Sequence, residues 1–88
     1  LCIKLLIHES GSLKGKRKVI KFLKERLCNR FNISIAETGE HELHNYAELG
    51  IAVIGSDTRR IDESLQKVLN FIEQDFRVEI VAVQKQIF

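Results

Sequence analysis

The sequence predicts an α+β sandwich in which a four-stranded antiparallel sheet carries two helices on one face. Two segments repeat apolar residues at helical spacing, and four segments show the apolar alternation or short apolar runs of strands. They follow one another in the order βαββαβ. With right-handed crossovers, this order produces a sheet with the spatial strand order 4-1-3-2. The 88 residues contain no proline and no Gly/Ser-rich stretch, so we predict a single domain over residues 1–88.

The first strand and the start of the first helix lie in "LCIKLLIHESGS". Alternate residues of this segment are apolar and predict a half-buried strand whose inward side carries Leu1, Ile3, Leu5 and Ile7. Gly11 breaks the alternation, and Ser12 is a residue type that caps helices by accepting a hydrogen bond from a free backbone N–H.

The first helix is predicted from about Leu13 to Arg30. Its apolar residues gather on one stripe, namely Leu13, Ile20, Leu23, Leu27 and Phe31. The opposite stripe is basic and contains Lys14, Arg17, Lys18, Lys21 and Lys24. Lys16 falls on the apolar side of the first turn. We expect its stem to lie on apolar surface and its ammonium to remain in water.

The rest of the chain supplies two strands, a helix and a last strand. "FNISIAET" alternates with Ile33 and Ile35 inward, and "GEHELHN" is a loop. "YAELGIAVIGS" is a longer strand, apolar on both sides in its second half. Asp57 or Thr58 then caps a helix whose apolar residues fall at helical spacing, and "FRVEIVAVQKQIF" is the last strand. The plan is ferredoxin-like, an architecture that hosts many unrelated functions.

The charge of the chain is unevenly distributed. The formal net charge is only +2, but residues 12–30 carry a net charge of +7 and the remainder carries −5. Glu25 is the single acid in the basic segment, so few of its lysines have a partner one helical turn away. A protein with this asymmetry presents one face to anions without being strongly basic overall.

Several function classes find no support in the sequence. A Gly-rich phosphate loop and the spacings of nucleophilic catalysis are missing, so we expect a protein that is not an enzyme and needs no cofactor. His41 and His44 are interpreted as solvated loop residues, because the spacing of zinc ligands is absent. No apolar run approaches the ~20 residues of a membrane span. Cys2 and Cys28 suggest two buried thiols in a reducing compartment, so we expect a cytoplasmic protein.

Three stretches resemble the YlxP-like family of small bacterial proteins. They are the SLKxKR helix start at residues 12–17, the pair Ala36-Glu37, and "LGIA" at residues 49–52 followed by Ser56-Asp57. The likeness covers nearly the whole chain. It implies a ferredoxin-like fold, no known enzyme activity and a link to translation, because genes of this family commonly lie beside those of translation factors. Gly15 departs from the family pattern, which usually has glutamate there.

Two hypotheses for function remain open. In the first, the basic helix binds phosphates of structured RNA, with ribosomal RNA as the expected partner, through Lys14, Lys16, Arg17, Lys18, Lys21 and Lys24. In the second, the protein is a structural or regulatory homodimer, and the basic face serves only solubility. The open face of the sheet would then pair two copies through a small apolar patch of Leu6, Ala52 or Ile54, and Ala82.

Overall fold

The computed structural model of the protein describes residues 1–8 and 11–87. Its elements are β1 (Cys2–Ile7), α1 (Leu13–Arg30), β2 (Ser34–Gly39), β3 (Tyr46–Ala52), α2 (Thr58–Glu73) and β4 (Val78–Gln84). The predicted order βαββαβ is therefore confirmed. Glu9, Ser10 and Phe88, which belong to segments discussed above, lie outside the described residues. Neither described helix is long and apolar enough to cross a membrane.

The four strands form one antiparallel sheet in the order β2-β3-β1-β4. This is the predicted order 4-1-3-2 counted from the other edge. Leu5 at the centre of β1 lies opposite Ala47 of β3 and Ile80 of β4. The inward side chains of β1 and β3 are almost fully buried and form one apolar cluster with residues of both helices. The core thus lies between the sheet and the helix layer.

The helix starts are fixed by polar caps. The Ser12 hydroxyl accepts a hydrogen bond from the Gly15 backbone N–H at 3.1 Å, and α1 begins at the next residue, Leu13. Asp57 rather than Thr58 caps α2, because its carboxylate accepts a hydrogen bond from the Arg59 backbone N–H at 2.9 Å. Such caps satisfy backbone donors that have no partner within the helix.

The third strand is shorter than predicted. Its ladder reaches Ala52, opposite Ser34, and Ile54 lies beyond the strand with 93% of its surface exposed. The reason lies in its neighbour β2, whose ladder with β3 begins at Ser34, opposite Ala52. The expectation that Val53 and Ile54 extend the middle of the sheet is therefore wrong.

The open sheet face does not carry the expected apolar patch. Lys4 lies opposite Glu48 and Ala82, and Leu6 lies opposite Glu79, so charged residues take the places between the expected apolar ones. The Lys4 ammonium lies 3.4 Å from a carboxylate oxygen of Glu40 and 5.4 Å from the centre of the Tyr46 ring. A charged band crosses this face, because alternation along β1 turns Lys4 outward whenever Ile3 and Leu5 turn inward.

The prediction that both cysteine thiols are buried is wrong for Cys28, which is exposed on α1.

The turn between α2 and β4 is held by Asp75 and Arg77. The Asp75 carboxylate accepts hydrogen bonds from the Arg77 backbone N–H and Nε–H, both at 3.0 Å, and from Nη2 at 2.6 Å. Hydrogen bonding to the Arg77 side chain is the main reason why the pKa of Asp75 is lowered, and partial burial opposes this shift. The turn therefore depends on an ionised carboxylate.

We expect the contact between Asp75 and Arg77 to make the stability of the protein depend on pH in the acid range. A carboxyl group with a lowered pKa in the folded state stabilises the protein above its unfolded pKa, near 3.8, and loses that contribution as pH falls through the folded value. Asp75→Asn should cost about 1–2 kcal/mol at pH 7, since charge-assisted hydrogen bonds are lost. The melting temperatures of the wild type and of Asp75→Asn should differ by a constant amount between pH 5 and 8. This difference should shrink as pH falls below ~4. A difference that grows in acid would contradict this assignment.

Candidate nucleic-acid interface

The exposed side of α1 is basic over its first four turns. Lys14, Arg17, Lys18 and Lys21 are exposed, and Lys24 is half-buried. Leu23, Leu27 and Ile20 face the core, so the helix geometry turns these cations toward solvent. The structure places five of the six predicted site residues on one continuous surface, which we call the basic face (Lys14, Arg17, Lys18, Lys21 and Lys24).

None of the five cations forms an ion pair within residues 1–8 and 11–87. Glu25, the acid expected to serve Lys21, lies within reach in sequence but makes no salt bridge with it among these residues. The ion pairs that the described chain does form involve Lys4, Lys16, Arg59, Arg77 and Lys85. Within the part of the chain that the structure describes, no cation of the basic face is therefore paired directly with a carboxylate.

Part of the basic face surrounds a shallow depression of about 370 Å³ on the side of β2. Arg17, Lys21 and Lys24 line it together with the carboxylate-bearing residues Glu25 and Glu37. Lys14 and Lys18 are exposed but do not contribute to its lining. The depression is too open to enclose a ligand, and its three cations can neutralise phosphates that pass along the helix.

Lys16, the sixth predicted site residue, belongs to the interior. Its side chain is only 1% exposed, so the expectation that its ammonium lies in water is wrong. The ammonium donates hydrogen bonds to the backbone carbonyls of Glu40 at 2.7 Å and Tyr46 at 2.9 Å. It also lies 3.2 Å from Oε2 of Glu37. Two hydrogen bonds and one ion pair thus hold the ammonium within the protein, and its burial keeps phosphate from reaching it.

Glu37 depends on this contact as much as Lys16 does. Its Oε2 atom is shielded from solvent and has no hydrogen bond of good geometry, so the ammonium of Lys16 is its one close polar partner within the described residues. The other oxygen, Oε1, lies 4.0 Å from Nε2 of His41. Lys16 therefore joins the first turn of α1 to the end of β2.

The same ammonium orders the loop between β2 and β3. Glu40 has a positive φ of 62°, a conformation that costs a non-glycine residue roughly 1 kcal/mol. Its carbonyl accepts hydrogen bonds from both Lys16 and the Leu43 backbone N–H. His41 in this loop is exposed, with Nε2 3.2 Å from the Glu37 carbonyl. The described residues contain no cluster of three or more side chains suited to a metal.

An aromatic residue that the sequence analysis missed continues the basic face. Lys14, Lys18, Phe22 and Arg26 follow one another at intervals of four residues and so form one row along α1. Phe22 is 39% exposed, and the guanidinium of Arg26 lies 4.9 Å from the centre of its ring. The guanidinium of Arg77 lies 4.6 Å from the same ring. The row leads from the basic face toward the turn after α2.

Comparison with known proteins agrees with the family resemblance of the sequence motifs. Residues 1–85 match the family model described as "Protein of unknown function (DUF503)". The chain belongs to this family. It is also 38% identical over 74 residues to a protein of Bacillus subtilis (strain 168) named "Uncharacterized protein YlxP". That alignment covers 84% of the chain and 80% of its relative.

The motifs that carry the family resemblance meet in the structure. Lys16 comes from the SLKxKR helix start and Glu37 from the Ala36-Glu37 pair, and the two side chains are in contact at 3.2 Å. Gly50, in the "LGIA" stretch, lies where an added Cβ would approach Cγ2 of Thr38 to 2.8 Å. At least part of the family pattern therefore specifies how α1, β2 and β3 fit together.

Proposed function

We propose that the protein is a non-catalytic binding protein whose basic face contacts the phosphates of structured RNA. The observation that carries this proposal is the absence of carboxylate partners for all five cations of that face within residues 1–8 and 11–87. Phosphate oxygens supply the missing acceptors. Contacts of this kind fix the position of a protein on a nucleic acid without reading its sequence.

The placement of the cations along α1 also supports a binding role. Lys14, Arg17 and Lys18 lie in the first two turns, where the positive end of the helix dipole disfavours cations by a few tenths of a kcal/mol each. The first turn contains no acid to compensate. A bound polyanion relieves both the dipole penalty and the mutual repulsion of the lysines. Solubility alone does not require that cations be concentrated in the first two turns of α1.

The proposed role involves no chemical step. The depression on the basic face is lined by Arg17, Lys21, Lys24, Glu25, Glu37 and Ile20, a set without a serine, cysteine or histidine. A role as a dimer that pairs through the open sheet face is not proposed as a second function. Lys4, Glu48 and Glu79 interrupt the apolar residues of that face, and their charges would be buried in such an interface.

A salt titration tests the proposed function directly. The wild-type protein should bind a fluorescein-labelled RNA hairpin at 50 mM salt, and affinity should fall steeply as salt rises. With four or five phosphate contacts, the slope of log K against log salt should be about −4. Absence of binding at low salt, or an affinity that does not respond to salt, would show that the basic face is only a solvated helix surface.

A further inference from the structure

A second surface lies beside the basic face, between α1 and the turn that joins α2 to β4. It is a cleft of about 360 Å³ that we call the aromatic cleft, and its lining includes Phe22, Arg26, Phe71, Phe76 and Arg77. A neighbouring depression shares Phe71 and Gln74 with this cleft and adds Arg30, Lys67 and Asn70. The cleft is thus lined by three phenylalanines and bordered by four cationic side chains.

The exposure of Phe76 is the first unusual feature of this surface. Its ring is 91% exposed at the tip of the turn after α2. Burial of a phenylalanine side chain stabilises a protein by about 1.5–3 kcal/mol. The unbound protein does not gain this stabilisation at Phe76. Phe22, on the other side of the cleft, is also partly exposed. The two rings present flat apolar surface at one site.

The charges around the cleft are the second feature. Arg77 is neutralised by its paired hydrogen bonds with Asp75. Arg26, Arg30 and Lys67 form no ion pair within residues 1–8 and 11–87. The guanidinium of Arg30 lies 5.4 Å from the ring centre of Phe71, and Arg26 is held against Phe22 in the same way. Phenylalanine rings thus lie beside three cations that have no acidic partner in the described part of the chain.

We propose that the aromatic cleft binds unpaired nucleotides of single-stranded RNA. A base stacks on Phe76, while the flanking phosphates contact Arg26 and Arg30. Stacking platforms beside unpaired arginines and lysines are the recurrent design of single-strand binding surfaces. The row Lys14, Lys18, Phe22 and Arg26 connects the cleft with the basic face, so an RNA can engage both. The inference rests on the proposed function and adds a second site, at which the protein binds unpaired nucleotides of the RNA.

An acidic peptide with an aromatic residue is the competing occupant. Cations attract it as well, but only its aromatic residues can stack on an exposed ring, whereas every nucleotide carries both a planar base and a phosphate. The spread of Arg26, Arg30 and Lys67 around two neighbouring depressions favours a strand that carries a charge at every residue. The test below separates the two occupants.

The test compares two RNAs and removes the most exposed ring of the cleft, that of Phe76. The probes are a 12-nucleotide strand of mixed A and C, which cannot pair with itself, and an RNA hairpin. Phe76→Ala should weaken binding of the single strand by at least about fivefold, because each stacked base contributes about 1–3 kcal/mol. Hairpin affinity should change less than twofold. Ile54→Ala is the matched control, since Ile54 is also an exposed apolar residue but lies outside the cleft.

A second variant reports stacking itself. The chain contains no tryptophan, so Phe76→Trp introduces a single indole at the cleft. This variant should retain affinity for the A/C strand, and strand binding should quench its fluorescence. Because Phe76 packs against little else, melting temperatures of both variants should stay close to that of the wild type.

The outcomes separate this inference from the proposed function. If Phe76→Ala leaves single-strand affinity unchanged, or the indole emission does not respond to the bound strand, the inference fails while hairpin binding still supports the proposed function. If the wild-type protein binds neither RNA, both fail. If a peptide of glutamates and phenylalanines binds in a Phe76-dependent way and the A/C strand does not, the cleft is a protein-binding surface and the inference is overturned.

Discussion

Lys16→Met is expected to lower the free energy of unfolding by about 3 kcal/mol, the largest stability effect that we predict for a single substitution in this protein. The variant leaves Oε2 of Glu37 shielded from solvent without its cation, and it removes a donor from the carbonyls of Glu40 and Tyr46. Breaking one side of a buried ion pair costs more than the pair contributes, because the remaining charge stays desolvated. For a small domain, this loss is a large part of the total stability.

Chemical denaturation measures this effect. Lys18→Met is the matched control, since it removes the same ammonium two residues away on the exposed side of α1, and it should change stability by less than about 0.5 kcal/mol. Lys16→Met combined with Glu37→Leu should recover part of the loss, because no unpaired carboxylate remains. If the two lysine variants are equally stable, Lys16 is not the buried link between α1 and β2.

Reversal of Lys18 and Lys21 to glutamate is expected to weaken binding of an RNA hairpin about 100-fold at 50 mM salt. Both side chains are exposed on the basic face and neither takes part in a described ion pair, so their replacement leaves the core untouched. Loss of two phosphate contacts should reduce the salt slope from about −4 to about −2. Affinity and slope are both obtained from fluorescence anisotropy titrations at several salt concentrations.

Arg59→Glu with Arg60→Glu is the matched control for this reversal. It changes the net charge by the same amount at the start of α2, which lies at the opposite end of the sheet because β1 and β3 are antiparallel. If long-range attraction alone governs RNA binding, the two double variants will lose affinity equally. If the basic face is the interface, only the α1 variant will lose most of it.

The contrast between Lys16 and its neighbours shows what the sequence could predict. The strand order followed from the order of the elements together with right-handed crossovers. The bounds of α1 followed from hydrophobic periodicity, which depends only on local geometry. The same periodicity placed Lys16 on the apolar stripe and Glu37 in phase with the inward Ile33 and Ile35. Each residue alone is compatible with a side chain that reaches water. Their burial follows from contact between α1 and β2, which no single segment encodes.

The aromatic cleft could not be predicted from the sequence for a related reason. Phe22 and Phe76 are separated by more than fifty positions, and each resembles an isolated exposed phenylalanine when its own segment is considered. The cleft forms because the turn after α2 returns the chain to the side of α1. Shape at the junction of two elements depends on side-chain packing, and hydrophobic patterning does not specify it.

The position of β1 in the sheet has a consequence for how the chain is made. This strand is synthesised before the other three described strands, but its neighbour β4 comes about seventy residues later. At ribosomal speeds, the interval is on the order of ten seconds. During that time one edge of β1 offers unpaired backbone groups beside the apolar side chains of Ile3, Leu5 and Ile7. Completion of the sheet is therefore a late event, and the nascent polypeptide is most prone to aggregate just before β4 arrives.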